Sequence, residues 1–241
     1  MTKLAIVTGG ARGIGRAIVE ILLANNYLVY FTYHHSKDAA QALMDQHPDK
    51  CKGFQIDSGN EGEISTFANE VLKNKSPYAL INNTGINNDQ LFMLQGLKEF
   101  WDSLHINLGS TLRFCKAFLP SMIENKIGHI INISSVAATR PRVGNSAYGV
   151  SKAAIERFSQ TLALEVARFN IHVNCIAPGF VQTEMFETFM QSQDKRQFYS
   201  HIPMKKVLLP EEIGKMVCAI CEGIVSTTGT IFKVGNGENI I

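Results

Sequence analysis

The chain of 241 residues has no apolar run approaching the ~18 residues that a membrane-spanning helix needs. Leu4–Val7 is only four apolar residues before glycines begin, so the N-terminus does not read as a secretory leader. Charge is also scarce: 18% of residues are Asp, Glu, Lys or Arg, and the net charge is +2. A nucleic-acid binder usually carries a strong basic excess, so that class is set aside, leaving room only for a local basic patch facing an acidic partner. The five cysteines (Cys51, Cys115, Cys175, Cys218, Cys221) are odd in number and scattered, mostly in apolar runs. They read as reduced core residues of a cytoplasmic protein rather than a disulfide framework. Cys218 and Cys221 have a redox or metal spacing. They lie inside a helical apolar pattern with Ile213, Met216, Val217 and Ile220 and have no second Cys or His pair, so packing is expected and no metal.

What is present is a 45% hydrophobic share, enough for a sizeable core in one domain spanning 1–241. Short apolar runs alternate with longer helical patterns. Strands are expected at 4–7, 28–33, 53–56, 79–81, 127–133, 171–176 and 230–234. Helices are expected at 14–24, 37–46, 64–73, 97–123 (with a bend near Gly109), 148–169 and 210–223. Seven strands joined by helical crossovers imply an α/β fold: a doubly wound parallel sheet with helices on both faces. Only Phe180–Leu209 fits poorly, being long, apolar and without a clear period, as lid insertions often are.

Thr8-Gly-Gly-Ala-Arg-Gly-Ile-Gly15 follows the first strand and opens the first helix. Gly9, Gly13 and Gly15 permit a tight turn and a close approach to a pyrophosphate, and the helix start offers free N–H groups. A plain glycine turn is the competing reading, but strand before and helix after favour a Rossmann-type dinucleotide site that also includes Arg12 and Ile14. No Gly-Lys-Ser/Thr follows, which excludes a Walker loop. An NAD site needs an acid about 20 residues on, and Phe31–Lys37 has none. Arg12, His34, His35 and Lys37 suit a 2′-phosphate, so NADP(H) is expected, although the two histidines read equally well as an exposed turn. Asp57 ends the third strand, as an N-cap or an adenine contact, and Asn82-Asn-Thr-Gly85 ends the fourth.

Tyr148 and Lys152 are one helical turn apart if a helix opens there, and an ammonium near a phenol favours the phenolate. The spacing alone is weak, because Tyr33 and Lys37 share it.

Together these residues resemble the classical short-chain dehydrogenases/reductases over Thr8 to Gly237. The matching features are the glycine loop, Asp57, Asn83 and Gly85, Asn107, Ser135, Tyr148 with Lys152, and Pro178-Gly179 with Thr183. The resemblance implies that Tyr148 protonates a carbonyl oxygen that Ser135 also bonds. It implies that Lys152 binds the nicotinamide ribose and lowers the Tyr148 pKa, and that Asn107 holds a relay water. Pro178, Gly179, Val181 and Thr183 would line the nicotinamide pocket. Two departures stand out: Thr84 replaces the usual alanine, and Gly235-Asn236-Gly237 replaces Asp-Gly-Gly.

Within the family, Gly85–Met93, Trp101-Asp102, Ile106–Leu108 and Pro178–Met185 are most similar to 3-oxoacyl-[acyl-carrier-protein] reductases, with acetoacetyl-CoA reductases close behind. This implies an acyl-carrier-protein or CoA thioester as substrate, fatty-acid or related biosynthesis, and a homotetramer. Lys126 and Arg168 are docking candidates, with Phe169 standing where the family has an arginine. Arg140 and Arg142 face a pantetheine phosphate or an acidic carrier, or else form only a solvated loop. In the lid, Phe180, Met185, Phe186, Phe189 and Met190 suit an acyl chain or ordinary packing. Sibling carbonyl dehydrogenases and a non-catalytic redox sensor are the alternatives.

Overall fold

The computed structural model describes residues 2–191 and 193–238. Seven strands form one sheet: β1 (Leu4–Val7), β2 (Leu28–Tyr33), β3 (Cys51–Gln55), β4 (Ala79–Asn82), β5 (Gly128–Ile133), β6 (Ile171–Pro178) and β7 (Ile231–Val234). Their order is β3-β2-β1-β4-β5-β6-β7, every pair parallel. The order reverses between β1 and β4, and in such sheets ligands lie beyond the carboxyl ends of the strands at that point.

Strand alternation divides the core. Ala5 and Val7 of β1 join Val29, Phe31, Ile131 and Ile176 under α1 (Gly13–Ala24), α2 (Lys37–Gln46) and α8 (Pro210–Cys221). Leu4 and Ile6 face the other way, with Leu80, Ile130 and Val173, under α3 (Glu61–Leu72), α4 (Leu97–Asn125) and α5 (Ser146–Val166). β1 therefore reads as a continuous apolar run because both of its faces are covered.

Expected and observed boundaries differ by at most three residues, and those of β1, β2 and α2 coincide. α4 runs without interruption through Gly109, and α5 ends at Val166, where a 3₁₀ turn over Ala167–Phe169 leads to Asn170 in the left-handed region (φ 59°). A further 3₁₀ turn, Val136–Ala138, was not foreseen. The five cysteines are buried and unpaired. No described helix is long and apolar enough to cross a membrane.

The stretch 180–209 is not a structureless loop. It holds α6 (Glu184–Met190) and α7 (Lys195–Ser200), and a Val181–Leu208 bridge closes its base. Phe180, Phe186, Phe189 and Phe198 contact one another ring to ring, so the stretch packs its own small core, which explains the missing period. Residue 192 of this stretch, like residues 1 and 239–241 of the expected domain, lies outside the described residues.

Candidate active site

Tyr148 and Lys152 both lie in the first turns of α5, whereas Tyr33 ends β2 and Lys37 begins α2. The shared spacing thus produces a facing pair only at Tyr148. Its phenol lies beside the Ser135 hydroxyl, just beyond the carboxyl end of β5, and that hydroxyl draws the phenol pKa down. Ser135 also accepts the Ala137 N–H at 3.2 Å, which starts the 3₁₀ turn and holds the hydroxyl in place. The neighbouring Ser134 is engaged further along α5, with its hydroxyl 2.9 Å from Glu156 Oε1 and 3.2 Å from the Lys152 carbonyl. Ser135, not Ser134, is therefore the serine beside the Tyr148 phenol.

One electrostatic expectation is corrected. The Tyr148 phenol is pushed above its ordinary value, because desolvation outweighs the effect of the Ser135 hydroxyl, and Lys152 exerts no resolved effect on it. The Lys152 Nζ lies 5.5 Å from the Tyr148 ring centroid and donates instead to the Ile133 carbonyl at 2.8 Å. Burial, to 3% exposure, pushes the Lys152 ammonium down to about 8. The pair is thus held as a neutral phenol, with its proton in place, beside an ammonium whose charge burial disfavours.

Asn107, fully buried on α4, grips the strand that leaves β4. Its Oδ1 accepts the Ile86 N–H (2.8 Å), and its Nδ2 donates to the Ile86 carbonyl (3.0 Å) and to Ser151 Oγ (2.9 Å). Ser151 donates in turn to the Tyr148 carbonyl at 2.7 Å. Asn107 therefore positions both the β4 loop and the start of α5, and both N–H donors of its amide are committed to that task.

The glycine loop fits a dinucleotide. Gly9 and Gly13 have φ of 65° and 54°, a region side-chain-bearing residues rarely adopt. A Cβ on Gly15 would lie 2.1 Å from the Gly9 carbonyl oxygen, so α1 can start against the loop only with glycine there. Asn83 Nδ2 donates to the Thr8 and Gly9 carbonyls (3.0 and 3.2 Å), and Thr8 Oγ1 accepts the N–H of Asn83 and Thr84 (2.9 and 3.0 Å). The Thr84 hydroxyl, beside Gly9, is buried with no hydrogen-bond partner, an orphan in the wall of this cradle. Gly85 lies between Asn107 Oδ1 and Lys152 Nζ, so the loop after β4 joins the cradle to Lys152. Ile14 packs into the core below the loop.

The remaining expected residues are placed as follows. Asn60, not Asp57, caps α3, while Asp57 Oδ1 accepts the Gly59 N–H at 2.8 Å. Thr183 caps α6 by accepting the Phe186 N–H (3.3 Å), and its methyl lies over Gly13. Val181 is buried at the lid base, and Pro178 and Gly179 end β6 against β7. Arg12 is ion-paired at 3.2 Å with Glu184 of α6. His34 and His35 are exposed, with ring centroids 3.8 Å apart and planes tilted 40° to each other. Arg142 is ion-paired with Asp89, so a free phosphate contact is not its state here. Lys126 and Arg168 lie at the amino edge of the sheet, ahead of β5 and β6, on the side away from Tyr148 in the same chain, and Arg168 stacks on Phe169 at 4.7 Å. They therefore do not flank this chain's own cleft mouth.

Several residues were missed because their partners are remote in sequence. Besides Ser151 these are Asp89, Glu156 and Glu238. Glu238, fully buried, accepts the Phe180 N–H at 3.0 Å and the Asn236 N–H at 2.6 Å. It fills the space beside Gly179 that any Cβ would occupy.

A doubly wound sheet with this glycine cradle at its switch point and a Ser–Tyr–Lys group on the same edge defines a nicotinamide-dependent oxidoreductase class. Residues 3–194 match the family model for short chain dehydrogenases, and the chain belongs to that family. It is 34% identical to the 3-oxoacyl-[acyl-carrier-protein] reductase FabG of Chlamydia trachomatis, covering 98% of this chain and 97% of that one. It is 32% identical to carbonyl reductase family member 4 of Xenopus laevis, covering 98% of each. A solved structure of ElxO with NADP bound superposes with a TM-score of 0.92 over 100% of both chains at 25% identity.

Proposed function

We propose that the chain reduces a 3-oxoacyl thioester to the 3-hydroxyacyl thioester with NADPH, in fatty-acid or related biosynthesis in the cytoplasm. The observation that carries this reading is the Ser135 hydroxyl beside the Tyr148 phenol, with Lys152 buried near that ring, at the same sheet edge as the glycine cradle. Bound there, the nicotinamide supplies the hydride. Tyr148, a neutral phenol, gives its proton to the carbonyl oxygen as negative charge builds there, and Ser135 hydrogen-bonds the same oxygen. Lys152 and Asn107 hold the geometry through Ile133, Ile86 and Ser151. The lack of an acid between Phe31 and Lys37, with Arg12 in the glycine loop, supports NADP(H) over NAD(H). The relatives named as 3-oxoacyl-[acyl-carrier-protein] reductases support the thioester.

A homotetramer is part of the proposal. Leu112, Val150 and Leu164 are exposed on the two long helices, and Leu164 is 84% exposed. The test is NADPH oxidation over a ladder of 3-oxoacyl thioesters, each on CoA and on acyl-carrier protein. Turnover that is fastest on the carrier protein is expected. Tight NADPH binding with no turnover of any carbonyl would favour a sensor, and turnover of steroid or sugar carbonyls alone a sibling dehydrogenase.

A further inference from the structure

Three segments remote in sequence meet at the mouth of the Tyr148 cleft. Asp89 follows β4, Arg142 and Asn145 precede α5, and Phe189 lies on the lid helix α6. Arg142 donates to Asp89 Oδ2, while Asn145 Nδ2 donates to Asp89 Oδ1 at 2.5 Å and to Asn87 Oδ1 at 3.3 Å. The Gln90 N–H bonds the Gly144 carbonyl at 2.8 Å, so these two loops are stitched together. The Arg142 guanidinium carbon then lies 4.8 Å from the centroid of the Phe189 ring, which belongs to the aromatic core of the lid. A planar guanidinium can bond a carboxylate with its edge while its face rests on a ring, which an ammonium does less well.

We propose that Arg142 is a positioning residue for the reduction: anchored by Asp89, it clasps α6 of the lid across the mouth and so holds in place the wall against which the substrate is presented to Tyr148. For its substrate the inference rests on the thioester-reductase reading; its geometry does not. The clasp also balances charge. The polar and charged side chains facing Tyr148 are Ser135, Lys152, Asp89 and Arg142, with Asp89 holding the phenol up and Arg142 drawing it down. Loss of either partner leaves the other uncompensated beside the proton donor.

Amide hydrogen exchange of residues 184–190 tests the clasp on the protein alone, whatever its substrate. Arg142→Ala and Phe189→Leu should each accelerate exchange there by about fivefold, and Arg142→Lys by less. Unchanged exchange in both Arg142→Ala and Phe189→Leu overturns the clasp, and Phe189→Leu keeps the test valid should the arginine variant fail to fold. Kinetics test the positioning role. Arg142→Gln should raise KM for the thioester severalfold with little change in kcat, and should move the alkaline limb of the kcat/KM profile to higher pH. Asp89→Asn should move that limb to lower pH, and the double variant should return it near its original place. Accelerated exchange with KM and pH profile unchanged, or shifts that add instead of cancelling, overturn the role in reduction. If no thioester is turned over but the exchange prediction holds, the thioester reading fails and the clasp stands.

Discussion

His129, at the amino edge of β5, makes acid stability a quantitative test of the packing. Its ring stacks on His172 (5.1 Å between centroids, 13° between planes), its Nε2 lies 3.2 Å from the Tyr78 hydroxyl, and its Nδ1 is buried without a partner. Burial first, then the fields of His172 and Lys3, push it from 6.5 down to about 4. The folded state therefore takes up its proton later than the unfolded state as pH falls. The stabilising contribution is present above pH 6.5, declines below it, and is gone near pH 4. At about 1.4 kcal/mol per pH unit the gap is worth about 3 kcal/mol, of which about 2 kcal/mol is lost between pH 7 and 5. His129→Phe keeps a flat ring against His172 and removes the proton. Urea unfolding followed by circular dichroism at pH 7, 6 and 5, at one protein concentration, should show the unsubstituted protein losing about 2 kcal/mol more than the variant over that range. Parallel losses would refute the claim that His129 is held neutral by its surroundings.

Tyr148→Phe keeps the ring and removes the donated proton; turnover should fall by at least ~10² with NADPH binding retained, and near-normal activity would overturn the assignment. Gly15→Ala would drive a methyl into the Gly9 carbonyl. It should weaken NADPH binding, read by fluorescence titration, more than tenfold or so, and cost about 1–3 kcal/mol of stability. Asn107→Ala strips partners from both backbone groups of Ile86, which should cost about 1–3 kcal/mol for each group left unpaired, and a melting curve identical to that of the unsubstituted protein would contradict the pinning role. Arg12→Gln should raise KM for NADPH far more than for NADH, whereas equal changes would mean that Arg12 serves only Glu184.

By itself the sequence determined the fold class, the strand count and the position of nearly every element, because these follow from local periodicity and from glycines at backbone angles that other residues rarely adopt. It also located the glycine loop, Ser135, Tyr148 and Lys152 on a strand end and a helix start, which the structure brings to one sheet edge. Tertiary structure alone decided what the polar groups touch. Arg142 could equally have met a phosphate, yet it meets Asp89, more than fifty residues away in the chain, and Phe189 of the lid. Lys126 and Arg168 looked like mouth residues until the directions of α4 and α5 put them at the opposite edge. Tyr148 was expected to be drawn toward neutrality by Lys152. Burial, which no linear pattern records, instead turned Lys152 to the Ile133 carbonyl and raised the phenol. Periodicity reports which face of an element is apolar; a hydrogen bond or ion pair depends on which elements the sheet order brings side by side, and that is settled only when the chain closes on itself.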